Sequence, residues 1–164
     1  MTIKITKTEF DNLAEIAELA EEIWNECFID IISQGQIDYM VEQFQSLKAM
    51  ENQVKNDNYS YYGVYFDDKL CGYFGIRLED EKLFLSKLYL HKDYRGQGIA
   101  SRMLQTIFEI GRNEGKKSVY LTVNKYNDQA VDVYNAKGFE VIDSVVTDIG
   151  EGYVMDDYIF EYVL

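Results

Sequence analysis

Leu88 to Ala100 read LYLHKDYRGQGIA, an apolar strand followed by a glycine-rich turn and the start of a helix. The first amides of a helix have no intrahelical partner, and the helix dipole adds about half a positive charge at the same end. Gly96 and Gly98 carry no side chain, so a ligand can approach their backbone closely. The stretch therefore predicts a site for an anionic phosphate, to which the Arg95 guanidinium can add a counter-charge.

The residues after the turn support a helix. Apolar side chains recur at helical spacing and end near Gly111, namely Ile99, Met103, Leu104, Ile107, Phe108 and Ile110. Two other phosphate motifs are excluded, because the turn lacks the Gly-Lys-Ser/Thr of a P-loop and the third glycine or alanine of a dinucleotide fingerprint. By itself, the stretch also fits a glycine turn that binds nothing.

A second motif lies further along the chain. Ser118 to Val123 are predicted to form a strand, and Asn127 to Lys137 a helix that ends at Gly138-Phe139. The chain thus carries two motifs in order, Arg95-x-x-Gly98-x-Ala100 and Asn127-x-x-Ala130-x-x-x-Tyr134-x-x-x-Gly138-Phe139. Together they resemble the paired signature of the GNAT superfamily of acetyl-CoA-dependent N-acetyltransferases.

The resemblance implies an α/β fold of the α+β type, as one domain over residues 1–164. Its central sheet is mixed, mostly antiparallel and of about seven strands, flanked by four helices in the order βααβββαβαββ. The hydrophobic pattern fits this order. It predicts strands at 2–6, 59–66, 70–78, 83–91, 139–147 and 153–163, with helical segments at 10–28 and 37–54.

Composition narrows the class of protein. The chain has 164 residues, of which 47% are hydrophobic, so it can form the core of a single domain. Its formal net charge of −13 disfavours binding to a nucleic-acid backbone and favours cationic partners, although the charge also fits a role in solubility.

Location, metals and assembly are predicted from simpler signals. The apolar runs are far shorter than the roughly twenty residues of a membrane span, and the N-terminus does not read as a signal peptide, so we expect a cytoplasmic protein without a membrane partner. Cys27 and Cys71 form no Cys-x-x-Cys pair and the chain has one histidine, so neither a disulfide framework nor a metal site is expected. The aromatic segment from Tyr158 to Tyr162, with the resemblance, suggests a homodimer.

The resemblance implies acetyl-CoA as cosubstrate and suggests the residues that contact it. The main chain of Leu88, Tyr89 and Leu90 would pair with the pantetheine arm and the acetyl carbonyl. The pyrophosphate would bind the main-chain amides of the turn and the helix start, that is Arg95, Gly96, Gln97, Gly98, Ile99, Ala100 and Ser101. Asn127 would hydrogen-bond the pantetheine arm, and Lys137 would reach the nucleotide.

The implied chemistry is direct transfer of an acetyl group from the thioester to an amine. It needs a free amine, a polarised carbonyl and a protonated leaving thiol. Tyr134 stands at the position of the general acid in the family, and it would also contact the cofactor. A phenol with a pKa of about 10 can donate to a thiolate whose conjugate acid has a pKa of about 8.5. With fourteen tyrosines in the chain, simple packing is the alternative for Tyr134.

The general base is harder to identify. Many relatives carry a glutamate on the strand before the glycine turn, whereas this chain has Leu85-Ser86-Lys87 there. Either a water chain leads to a remote acid, or an acid from the first helices or the last hairpin takes the role or binds the substrate. The candidates are Glu26, Asp30, Asp156 and Asp157. Each of them also fits a solvated face.

Two segments bear on the acceptor. Gly150 to Tyr158 and Trp24 to Phe28 are similar to the bacterial polyamine N-acetyltransferase subgroup. That similarity implies a cationic acceptor such as spermidine, which suits the acidic chain. The alternatives are a protein or peptide amine, another small amine, and a non-catalytic module that binds or senses acyl-CoA. A deep acidic pocket would count against a peptide substrate.

Overall fold

The computed structural model describes residues 2–164. Its seven strands are β1 Ile3–Lys7, β2 Tyr59–Phe66, β3 Lys69–Leu78, β4 Lys82–Leu90, β5 Ser118–Asn124, β6 Glu140–Gly150 and β7 Tyr153–Val163. They form one sheet in the order β1-β2-β3-β4-β5-β7-β6. The strands β4 and β5 pair in parallel and every other neighbouring pair is antiparallel. The mixed, mostly antiparallel sheet is therefore as predicted.

The helices complete the predicted order. They are α1 Leu13–Cys27, α2 Gln34–Met40, α3 Leu47–Asn56, α4 Ile99–Asn113 and α5 Asp128–Ala136. A π-helical turn, Val41–Gln45, lies between α2 and α3. With Gln34 to Asn56 counted as one helical segment, the order is βααβββαβαββ. No helix in the described part of the chain has the length and apolarity needed to cross a membrane.

The second helical segment differs from the continuous helix expected over residues 37–54. Ser46 is extended, at φ −74° and ψ 161°, and its hydroxyl accepts a hydrogen bond from the Ala49 amide at 3.1 Å. The same hydroxyl donates to the Glu42 carbonyl at 2.7 Å. A serine cap of this kind starts a new helix. Apolar periodicity did not reveal the break because the apolar stripe continues on both sides of it.

The sheet is covered on both faces. On one face, α1 and α3 pack Leu13, Ile16 and Met50 against the tyrosines of β2 and β3. On the other face, α4 and α5 pack against the inner strands through a larger cluster that includes Ile99, Met103, Ile107, Tyr134, Leu85, Leu121 and Phe160. Truncating one such core side chain to alanine typically costs about 2–5 kcal/mol. The two core layers therefore hold the strands of the sheet in fixed positions.

The sheet opens between β4 and β5. These strands pair at Lys82–Phe84 with Ser118–Tyr120, and in residues 2–164 no ladder continues beyond Phe84. A bulge in β4 begins at the same place, because Leu85 lies opposite Ile76 and Lys87 opposite Gly75, which leaves Ser86 without a partner on β3. On its other edge β5 pairs with β7 along its whole length, so only the edge that faces β4 is left without a ladder. The two parallel strands thus diverge and leave a gap in the middle of the sheet.

Candidate active site

A cavity of about 530 Å³ occupies the gap between β4 and β5. Small-molecule sites usually have volumes of about 300–1,000 Å³. Following the sequence prediction for each part, we call one part of its wall the cofactor end, formed by the turn before α4 and by α5. We call the opposite part the acceptor end, formed by α1, α2, the π-helical turn and α3, with Met155 and Asp157 of β7.

The glycine turn shapes the cofactor end. Gly96 and Gly98 have φ of +78° and +83°, and a Cβ at either position would meet no atom within 4 Å. Gly98 is the N-cap of α4 and no side chain caps this helix, so the amides of its first turn are open. Gly96, Gly98, Ile99, Ala100 and Ser101 all line the cavity. The arrangement presents backbone donors to an anion, as the sequence predicts.

Arg95 lines the cavity, but its side chain is already paired. Its Nη1 lies 3.0 Å from Glu26 Oε1, and its Nε donates to the Leu90 carbonyl at 3.1 Å. Glu26 itself does not line the cavity. Gln97 does not line it either, because its side chain is exposed and directed towards the Asp93 carbonyl at 3.5 Å.

The strand β4 contributes both backbone and side chains. The His91 amide bonds the Cys71 carbonyl of β3, and alternate residues of a strand direct their backbone groups to opposite sides. The backbone of Leu88 and Leu90 therefore faces the gap, whereas that of Tyr89 faces β3. Tyr89 contributes its ring, which packs at 5.7 Å from Trp24 between ring centroids. Burial, followed by the nearby Cys27, Tyr134 and Asp157, raises the pKa of Tyr89.

The helix α5 brings three predicted residues to the cavity. Asn127 Oδ1 accepts the Ala130 amide at 3.3 Å and caps the helix, which leaves the carboxamide nitrogen free to donate. Lys137 lines the cavity at the exposed end of the helix. Tyr134 is 8% exposed and packs against Phe139 with 5.4 Å between ring centroids. Burial raises the pKa of the Tyr134 phenol, so it stays protonated at neutral pH, as a proton donor must.

The four candidate acids occupy different environments. Asp156 forms an ion pair with Lys125 at 2.9 Å, Glu26 pairs with Arg95, and Asp30 is exposed away from the cavity. Asp157 lines the acceptor end, is 4% exposed, and has no hydrogen-bond partner for Oδ1 within residues 2–164. Desolvation, and then the charge of Asp156, raise the pKa of Asp157 to about 6. An ionised carboxylate in this position is available to a cationic amine.

Sequence reasoning did not single out Lys87. Its side chain is 4% exposed and lines the acceptor end. The ammonium donates to the Phe44 carbonyl, to Tyr61 Oη and to Gln53 Oε1, the last at 3.0 Å. Burial lowers the pKa of Lys87 to about 7. The available signal was a lysine in a strand whose other buried residues are apolar, in the stretch where the resemblance implies a glutamate.

The remaining wall of the acceptor end is apolar. Trp24 stacks on Phe28 with 4.2 Å between ring centroids, and both side chains are buried. The apolar side chains of this wall are Trp24, Phe28, Ile32, Met40, Phe44 and Met155. Among the described residues that line the whole cavity, Asp157 is the one carboxylate, beside Lys87, Arg95 and Lys137. The negative charge of the chain is thus not concentrated in the cavity, contrary to a deep acidic pocket.

Comparison with known proteins agrees with this geometry. The model of the acetyltransferase (GNAT) family matches residues 16–139. A spermidine N(1)-acetyltransferase of Thermoplasma acidophilum is 26% identical over 148 residues, which cover 88% of this chain and 92% of that protein. A probable N-acetyltransferase, camello, of Xenopus laevis is 30% identical over 102 residues, covering 60% of this chain and 47% of the relative.

Solved structures share the fold. The PaiA N-acetyltransferase of Thermoplasma acidophilum, solved with coenzyme A, matches with a TM-score of 0.85 and 24% identity, over 100% of both chains. A GNAT-family acetyltransferase of Streptococcus pneumoniae matches with a TM-score of 0.69 and 20% identity, over 99% of this chain and 100% of the other. These matches confirm the predicted fold.

Proposed function

This chain belongs to the acetyltransferase (GNAT) family, and on that premise we propose that it acetylates a polyamine such as spermidine. It is an acetyl-CoA-dependent N-acetyltransferase with an amine acceptor. The observation that carries the proposed acceptor class is the buried Asp157 carboxylate, unpaired at Oδ1, in the wall of the acceptor end. A cationic amine would supply its missing partner. The similarity to a spermidine acetyltransferase supports the choice of polyamine.

The cofactor end holds acetyl-CoA in this proposal. Its pyrophosphate lies against the open amides from Gly96 to Ser101, where the dipole of α4 adds to the attraction. The pantetheine arm follows the gap, pairs with the backbone of Leu88 and with the amide of Leu90, whose carbonyl already accepts from Arg95, and accepts a hydrogen bond from the Asn127 carboxamide. Lys137 reaches the nucleotide. The ion pair with Glu26 holds Arg95 beside the turn.

The chemistry divides between Asp157 and Tyr134. The Asp157 carboxylate takes a proton from the acceptor ammonium, and the neutral nitrogen attacks the thioester carbonyl carbon. A carbon–nitrogen bond forms, and the carbon–sulfur bond breaks as the intermediate collapses. Tyr134 gives its phenolic proton to the departing thiolate and regains one that the amide nitrogen loses. The products are the N-acetylated amine and coenzyme A, with one proton released from Asp157 to solvent.

The test is release of coenzyme A thiol by the purified protein across polyamines, small amines and short peptides. Binding of coenzyme A is measured in parallel by calorimetry. We expect turnover with spermidine or spermine well above the rate of hydrolysis without acceptor. Turnover with another amine but not with these polyamines would contradict the proposed acceptor. Binding of coenzyme A without turnover on any amine would favour an acyl-CoA-sensing module.

The apolar wall of the acceptor end favours a second candidate acceptor, a primary amine on an apolar body. Trp24, Phe28 and Met155 can pack against such a body, while Asp157 takes its single ammonium group. A polyamine would lay its methylenes on the same wall and leave its other charges outside. Comparison of kcat/KM for spermidine with that for phenylethylamine discriminates between the two.

A further inference from the structure

Lys87 has a buried amino group without a counter-ion. Its three hydrogen bonds all go to neutral oxygens, and within residues 2–164 it forms no ion pair. The groups that face its ammonium are the Phe44 carbonyl of the π-helical turn, Gln53 of α3, and Tyr59 and Tyr61 of β2. On β3, Gly75 lies opposite and contributes no side chain. Burial of an ammonium without a counter-ion costs free energy, so a contribution to stability does not explain why a lysine stands at this position.

The three acceptors place Lys87 between the sheet and the helical segment that breaks at Ser46. Phe44 belongs to the π-helical turn and Gln53 to α3, whereas Lys87 follows the bulge of β4. Beside them, Tyr73 Oη donates to the buried Gln45 at 2.8 Å. Phe44, Gln45 and Gln53 all line the cavity. Through Lys87, the strand beside the reacting carbonyl is thus tied to the helical wall of the acceptor end.

We propose that Lys87 is a positioning residue that fixes the helical wall of the acceptor end, and that protonation of Lys87 favours opening of this wall. The inference rests on the proposed function, since it takes this end of the cavity as the place of the acceptor. It assigns Lys87 no contact with the reacting atoms.

The direction of the pH effect follows from linkage. In the closed protein burial lowers the pKa of Lys87 to about 7, whereas an opened segment would return the ammonium to water, with a pKa of about 10.5. The open form therefore binds more protons between these values, and acid favours it. Between pH 8 and pH 6, these two pKa values predict a rise of about tenfold in the opening constant. Neither tyrosine titrates in this range, and burial raises the pKa of Tyr61 further.

Lys87→Met tests the proposal, because the hydrogen-bond acceptors of the lysine keep other donors in this variant. The Phe44 carbonyl keeps a hydrogen bond from Gln53 Nε2 at 3.2 Å, and Gln53 Oε1 keeps the one from Tyr61. Methionine fills most of the volume of the lysine stem, so the variant is expected to fold. Lys117→Met is the matched control, because its ammonium is exposed and pairs with Glu81 at 3.0 Å on the surface.

The experiment is hydrogen exchange of Gln34–Asn56 at pH 6 and pH 8, corrected for intrinsic rates, together with KM values. In the unsubstituted protein we expect about tenfold more opening at pH 6. Lys87→Met should show the same opening at both pH values, and its acceptor KM should rise about tenfold while the acetyl-CoA KM stays within about twofold. Lys117→Met should match the unsubstituted protein throughout.

Two results would overturn the proposal. One is that Lys87→Met keeps the pH dependence of exchange. The other is that the affinity of Lys87→Met for acetyl-CoA falls by the same factor as its affinity for the acceptor. Exchange and coenzyme A binding need no acceptor, so they test Lys87 even if no polyamine reacts. Failure of spermidine as a substrate would therefore count against the proposed function alone.

Discussion

The two ends of the cavity are built in different ways. The cofactor end is largely one continuous stretch, Arg95 to Ser101, whose backbone amides and left-handed glycines are proposed to meet the ligand. The acceptor end is assembled from side chains of α1, the second helical segment, β4 and β7, which are far apart in the sequence. A site made of backbone groups can therefore be predicted from local sequence, whereas a site made of side chains depends on how distant elements pack.

The ends also differ in charge. The chain has a net charge of −13, yet the cavity is lined by three cations and one carboxylate. Arg95 and Lys137 stand at the cofactor end; Arg95 is paired with Glu26, whereas Lys137 would pair with a phosphate group. At the acceptor end, Asp157 and Lys87 are both buried and not paired with each other. Substitutions confined to one end should therefore affect one substrate and leave the other unchanged.

The largest expected effect is that of Tyr134→Phe. Loss of the phenolic proton donor should lower kcat by about 100-fold or more, with coenzyme A affinity within about twofold, because the ring still packs against Phe139. Steady-state kinetics and calorimetry measure the two quantities. Tyr126→Phe is the control, since Tyr126 is 67% exposed. Unchanged turnover in Tyr134→Phe would show that Tyr134 is not the general acid.

The second largest effect is expected for Asp157→Asn. We expect kcat/KM for the amine to fall about 100-fold while coenzyme A still binds, because the amide cannot take a proton. The carboxylate must be ionised to act, and its pKa is raised to about 6, so kcat/KM of the unsubstituted protein should fall as the pH drops through about 6. The variant should lack this acid limb.

Asp156→Asn is the control for Asp157→Asn. It removes the charge of the neighbouring carboxylate, which pairs with Lys125, and should keep the acid limb but move it to lower pH, because that charge contributes to the raised pKa of Asp157. An equal loss of activity in both variants would show a general effect of the β7 charge rather than a role of Asp157.

Gly98→Ala should affect the opposite end. A side chain at φ +83° is strained, and the new Cβ would stand where the phosphate approaches the turn. We expect the Kd for coenzyme A to rise about tenfold, with little change in the acceptor KM. Gly115→Ala is a matched control, because Gly115 has φ +71° with open space around it and lies outside the cavity. Equal weakening in both variants would point to loss of stability instead.

The smallest effect on activity is expected at the outer edge of the sheet. In the described chain, β6 pairs with β7 and has no neighbour on its other side, and Val141, Ile142 and Val146 of β6 are about half or more exposed. We propose that a second copy covers this edge, as an isologous dimer would. Val146→Glu should convert a dimer to the 19.2 kDa monomer in light scattering, with activity retained. A monomeric unsubstituted protein would contradict the dimer.

Much of the fold could be predicted because its signals are local. The glycine turn, the apolar stripe of α4 and the alternating strands place β4, α4, β5 and α5 within a few residues of their observed bounds. The break at Ser46 could not be predicted from periodicity, because apolar residues face the core before and after it. Of the four candidate acids, sequence spacing could not separate Asp157 from Asp156, since neighbours on a strand differ only in the face to which they point.

From the sequence, the resemblance of two short motifs indicated the family and the cosubstrate, and the glycine turn predicts a backbone site for phosphates, because its geometry is set within one turn and one helix start. Tertiary structure alone decided that Asp157 faces the cavity, that Arg95 holds Glu26, and that Lys87 is buried beneath the broken helical segment. The physical reason is that burial, and with it the pKa of Asp157 or Lys87, is set by the elements that pack around a side chain.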